Sequence, residues 1–303
     1  MPRARVSLRE ALERLVLRLH WPVERPVVFV LGLPRSGTTL VSHYLVHRLE
    51  IAYWTSGVGQ HPRAPVVTTF LERRRGPHLS ELRSRDGRVE GADAPREAGS
   101  VWERFFDLER YTRFDDLRPG DALALRNLVA ATQRVFGGTP FVNKDAKHVL
   151  RIDALARVFP ESLFLVVRRR PQDVALSILR ARFELCADPM QWWSVKPPDH
   201  ERLAGLPVEE QVAGQVLSLR RRLDADLAAL PQERVLRLDY ERFCREPDTS
   251  LGPLRRTLGA VAERGSPAGP FAALHHAPAD AREHRLLSLL APNPPTEQVR
   301  GRS

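Results

Sequence analysis

The 303-residue sequence predicts an α/β protein: three layers, with a mostly parallel central sheet and helices on both faces. Three observations carry that expectation. Val27-Val28-Phe29-Val30-Leu31 is an apolar, largely β-branched run that feeds Gly32-Leu33-Pro34-Arg35-Ser36-Gly37 and then a helical pattern from Thr38 onward. Ser162-Leu163-Phe164-Leu165-Val166-Val167 is a second continuous apolar run, as a strand buried on both faces requires. It ends in Arg168-Arg169-Arg170, and Pro171 opens another helix there. Strand, Gly-rich turn, helix is the phosphate-cradling arrangement of P-loop-like folds, because flexible glycines and a helix N-terminus aim backbone N–H groups at one anion.

Along the chain, Ser7 and Glu10 form a capping box for a helix over 7–20, whose stripe of Leu12, Leu15, Val16 and Leu19 is expected to pack on the sheet. Pro26 precedes the first strand. The helix over 38–49 carries His43 and His47 one turn apart. With Tyr44 between them and no third ligand evident, they read as surface histidines, not a metal site. Ile51 to Trp54 suggests a short strand and Val66 to Arg75 a helix. A polar, Gly- and Pro-punctuated segment then runs to Gly99 and contains Pro95-Arg96-Glu97, with an aromatic helix from Val101 to Phe106 after it.

Pro119 to Phe136 reads as a helix stopped by Gly137-Gly138, and Phe141 to Asn143 as a short strand. Lys144-Asp145-Ala146-Lys147-His148 follows, then a helix ending near Phe159-Pro160. After the helix that Pro171 opens comes a loop over 186–205 with Trp192-Trp193, two indoles that either line a pocket or pack in the core. A long helix over 207–230, a strand over 235–239 and a helix from Leu251 to Leu258 complete the regular pattern. The expected division is an N-terminal amphipathic helix (1–26), one α/β domain (27–259) and a Pro/Ala-rich tail (260–303) that is either partly disordered or covers the active site.

Composition narrows the function classes. The formal net charge is +10, and among 47 basic residues only Lys144, Lys147 and Lys196 are lysines. Such a surplus favours an anionic ligand. The arginines are scattered and lack interleaved aromatics, so no dedicated nucleic-acid role is expected. No run approaches the ~18 apolar residues of a membrane span. Arg9, Glu10, Glu13 and Arg14 interrupt any signal-peptide core, so the expectation is a cytoplasmic protein with no membrane partner. Cys186 and Cys244 are far apart and lack metal-ligand spacing, which suits free thiols.

Which phosphate ligand the first loop takes is decided by one slot. Gly32 and Gly37 have Walker A spacing, but the lysine position is Thr38 and the cation sits earlier, at Arg35. Pro34-Arg35-Ser36-Gly37-Thr38-Thr39 resembles the 5′-phosphosulfate loop of sulfotransferases that use 3′-phosphoadenosine-5′-phosphosulfate (PAPS), in the Arg-containing form of the tyrosylprotein and bacterial branches. Arg169 with Ser177, eight residues on, is similar to the motif that grips the 3′-phosphate in that family. The resemblance spans about 27–259. It implies a P-loop-like fold, sulfuryl transfer from PAPS to a small-molecule or peptide acceptor with release of PAP, and no metal. Pro34, Arg35, Ser36, Gly37, Thr38, Thr39, Arg169 and Ser177 would bind the nucleotide, with Arg35 also catalytic.

The chain departs from the better-known cytosolic branch in three ways. Arg35 stands where that branch has Lys, its C-terminal Arg-Lys-Gly segment is not evident, and the Lys-x-His that carries a catalytic histidine is broken by Ala146. For the general base two candidates follow: Glu97, because Pro-x-Glu stretches ahead of an aromatic run stand on the acceptor side in bacterial sulfotransferases, and His148, the histidine nearest Lys144. The competing readings are a P-loop kinase or NTPase and a non-catalytic nucleotide-binding protein.

Overall fold

The computed structural model describes residues 7–74 and 94–291. Four strands, β1 (Val27–Leu31), β2 (Phe141–Lys144), β3 (Leu163–Arg168) and β4 (Val235–Asp239), form one parallel sheet in the order β2-β1-β3-β4. Every residue of β1 and β2 is buried, so both faces of the sheet are covered by helices, as their unbroken apolar runs require. The chain goes from β1 to one side, crosses back to the other for β3, and so leaves a switch point between β1 and β3. Crevices for ligands form at the carboxyl ends of strands at such a point. The register aligns Leu31 with Val166, so the loop after β1 and the turn after β3 leave the sheet at the same edge.

The main helices are α1 (Leu8–Leu17), α2 (Thr38–Arg48), α3 (Pro65–Arg74), α4 (Asp121–Val135), α5 (Ile152–Val158), α6 (Pro171–Leu185), α7 (Val208–Ala228), α8 (Tyr240–Arg245), α9 (Gly252–Leu258) and α10 (Ala281–Leu290). Pro171 stands in the first turn of α6, and Gly137 and Gly138 follow α4 with positive φ. Three expectations are corrected. Ile51 to Trp54 forms no strand: Ala52 makes one isolated parallel bridge to Phe141, and Thr55 then bridges Pro95 in the opposite sense, which turns the chain away. The expected aromatic helix shrinks to the turn Gly99–Trp102, whose Trp102 indole donates to the Glu97 carbonyl.

The third correction is α1. Its leucine stripe does not pack on the sheet. Glu13 faces inward instead, and its carboxylate accepts from the N–H groups of Val66 (3.1 Å) and Val67 (2.9 Å) at the start of α3. Burial pushes that carboxyl up to about 6, against the pull of the two N–H donors. The segment from Gly76 to Gly99 falls largely outside the described residues.

Candidate active site

The site grows from the loop between β1 and α2. Ser36 N–H donates to the Leu33 carbonyl (3.1 Å) and closes a tight turn. Arg35 sits at φ 67 and Gly37 at φ 89, both left-handed, and a non-glycine held there is strain of the kind found at ligand sites. A Cβ on Gly37 would lie 2.1 Å from the ring of Tyr240, the first residue of α8 after β4. Gly37 is also the N-cap of α2 and supplies no side-chain acceptor, and no acid stands in the first turn. The N-terminal N–H groups of α2 are therefore left to an anion. Beside them the buried Ser36 hydroxyl has no partner.

The turn after β3 supplies the second cradle, and it meets the first. Arg35 Nε donates to the Ser177 hydroxyl at 2.9 Å. Arg169 Nη1 donates to the Arg35 carbonyl at 2.8 Å, its Nη2 donates to the Leu274 carbonyl, and its guanidinium carbon lies 5.0 Å from the Tyr240 ring centroid. Arg169 Nε is buried and without a partner. Residues at opposite ends of the sequence motif pair, 134 positions apart, thus touch in one place.

Both cradles open into a cleft of about 1190 Å³. Its other end is lined by His43, Glu97, Lys144 and Trp193. Glu97 reaches in from a loop clamped at the end of β2. The Asn143 amide nitrogen donates to the Arg96 and Glu97 carbonyls, both at 3.3 Å, and Lys144 Nζ pairs with the Glu97 carboxylate. Of the two indoles, Trp193 lines the cleft, while Trp192 stacks edge-on against His200 at 4.4 Å.

His148 is corrected. It is fully buried, outside the cleft, edge-on to Phe29 (5.2 Å) and Trp102 (4.8 Å). Its Nε2 lies 2.7 Å from Asn143 Oδ1, which makes it a proton donor there, and Nδ1 has no partner. Burial first, then Arg151 and Lys144, hold it well below the usual histidine range, so it stays neutral. The turn Ala146–Leu150 carries it under the sheet. His148 is a structural prop for Asn143, not a group that could meet an acceptor.

His43 is the opposite case. Expected on the surface, it is buried and lines the cleft, and its ring donates to the Pro95 carbonyl. Burial and Lys144 bring it down to about 4, so it is neutral at physiological pH and offers one ring nitrogen as an acceptor. Its signal was legible: four residues after Thr39, it falls on the same helix face as that residue, which also lines the cleft.

The C-terminal segment is built into the same cleft. Phe271, Leu274 and His276 line it. Asp173, buried in the first turn of α6, accepts from Arg170 Nε (2.7 Å) and the His276 N–H (2.9 Å), and His275 Nδ1, which accepts from Arg170 Nη2 at 2.8 Å, lies 3.3 Å from it. Burial alone would raise its carboxyl, but those donors bring it to about 2. Arg180 then pairs through two nitrogens with Glu283 of α10, at 2.7 and 2.8 Å. Asp173, Glu241 and His275 lie close enough to suggest a metal site, yet the Arg170 guanidinium bonds Asp173 and His275 there, and its backbone N–H points to Glu241.

The model of the Sulfotransferase family matches residues 26–263. Among solved structures, a sulfotransferase from Mycobacterium tuberculosis superposes with a TM-score of 0.52 at 15% identity, over 92% of this chain and 77% of that one. A second, from Mycobacterium avium, superposes with a TM-score of 0.52 at 21% identity, over 82% of this chain and 66% of that one. At those identities the likeness concerns the fold. Among curated proteins, none matches the sequence.

Proposed function

The chain belongs to the sulfotransferase family, and from that premise we propose that it transfers the sulfuryl group of PAPS to a hydroxyl or amine of a small-molecule or peptide acceptor and releases PAP. The observation that carries this reading is the junction of Arg35 with Ser177 and of Arg169 with Arg35 at one cleft edge. A nucleotide phosphorylated at both ends of one ribose needs two cradles within a single molecule's reach. The residues present fit such a group: Ser36 Oγ and Arg169 Nε are buried polar atoms without partners, and Gly37, where a Cβ would collide with Tyr240, holds the left-handed turn that starts α2.

When bound, PAPS supplies a sulfuryl group attached to a phosphate leaving group. Pro34 shapes the turn, and the N–H groups and hydroxyls of Ser36, Gly37, Thr38 and Thr39 would hold the 5′-phosphate. Arg169 and Ser177 would hold the 3′-phosphate. Arg35 is the cation for the bridging oxygen: a fixed guanidinium there stabilises the charge that develops on the leaving group more than the charge of the ground state. The cationic role that a metal plays in phosphoryl transfer falls to this side chain. Glu97 is the carboxylate placed to take the acceptor proton, with Lys144 fixing its position.

A calorimetric titration tests the donor half. PAP should bind at least about tenfold more tightly than ATP, with or without Mg²⁺. Tighter ATP binding with Mg²⁺ would instead support a P-loop kinase, and PAP binding without sulfonated product from an acceptor mixture would leave a nucleotide-binding protein.

A further inference from the structure

The first helix carries an apolar face that none of the described residues covers. Leu8, Leu12, Leu15 and Leu19 are 76%, 42%, 59% and 64% exposed. At about 100° per residue these four directions span only about 60°, a single stripe along α1 and the turn that follows it. The opposite side is the one that packs: Glu13 is 1% exposed, and Leu17 and Val16 lie against the core.

Charge is sorted the same way. The exposed Arg18 borders the stripe on one side and the half-buried Arg9 on the other, while Arg14 lies farther round, beside Glu10 and Glu13. Both carboxylates of the helix, Glu10 and Glu13, lie on the half turned toward the protein. The free half of α1 is therefore leucine edged with arginine.

We propose that this face docks the protein peripherally on an anionic lipid bilayer, with the leucines at the acyl boundary and the arginines among the phosphate headgroups. A second copy of the chain is the poorer occupant. Two such stripes face to face would bring the bordering arginines of both helices together with no exposed carboxylate of α1 to pair them. The net charge of +10 likewise opposes self-association and favours an anionic surface. No helix among the described residues is long and apolar enough to cross a membrane, so the attachment is of the in-plane kind. This reverses the expectation of no membrane partner, which rested on the lack of a spanning run and of a signal-peptide core. It does not depend on the sulfuryl-transfer reading.

Vesicle flotation tests it. The full chain should float with vesicles of equal parts phosphatidylcholine and phosphatidylglycerol and stay behind with phosphatidylcholine alone. The double substitution Leu12→Glu with Leu15→Glu should cut partitioning at least about tenfold without moving the melting temperature, since both side chains are exposed. If that variant melts lower, Leu12→Ser with Leu15→Ser replaces it and must show the same loss. Three results overturn the proposal: flotation with neither vesicle; a leucine variant that floats like the parent, which would leave bulk charge alone; or a parent dimer that the variant converts to monomer while neither binds vesicles.

Discussion

The two ends of the cleft are built by different rules. At the end beside β1 and β3, the turn of residues 32–39 and the Arg169–Ser177 pair are each a short stretch of sequence at the end of a strand, and two neighbouring strands bring them together. At the end beside β2, His43 comes from α2, Glu97 from a loop, Lys144 from β2 and Trp193 from the connection after α6. A site made of contiguous backbone is specified locally. One made of side chains from four distant segments is specified only by the finished fold.

That contrast can be broken at either end. The largest effect is expected from Gly37→Ala, which places a methyl group 2.1 Å from the Tyr240 ring at φ 89. PAP affinity should fall about a thousandfold; a variant that titrates like the parent would show that the loop is not the phosphate site. At the other end, Glu97→Gln should lower turnover about a hundredfold on any acceptor the parent sulfonates, while PAP affinity stays unchanged. Equal losses in both measurements would mean that the two ends are not separable.

The smallest effect concerns His43. Because the fold holds it at about 4, the unfolded chain binds the proton first as pH falls, so stability is complete above the ordinary histidine value and is lost between pH 6.5 and about 4. Near pH 5 the loss should be about 2 kcal/mol in urea unfolding, and His43→Gln should flatten that slope. An unchanged slope would mean that His43 is not buried against Lys144 and Pro95.

The same division explains what could be read in advance. The parallel sheet, the helix that Pro171 opens and the two basic turns at the ends of β1 and β3 follow from apolar runs and turn residues whose physics is local. His148 failed because proximity to Lys144 in sequence says nothing of how the turn Ala146–Leu150 rotates a ring beneath the sheet. His43 was placed on the surface because its partner Pro95 stands far away in sequence, and its one local cue, a position one turn after Thr39, was passed over. Glu13 defeated the amphipathic reading of α1, since a carboxylate that caps α3 can be buried while leucines stay out. Helix α10 was legible and overlooked: Asp280 accepts from the Glu283 N–H at 2.8 Å, a capping pattern ahead of Leu286, Leu287 and Leu290.

The bond from Arg169 to the Leu274 carbonyl has a practical side. Anyone trimming this chain for expression after α9, near residue 260, would remove one wall of the cleft and the carbonyl that holds Arg169. A useful shortened version has to run through Leu290, so that Glu283 can still fasten that wall to Arg180.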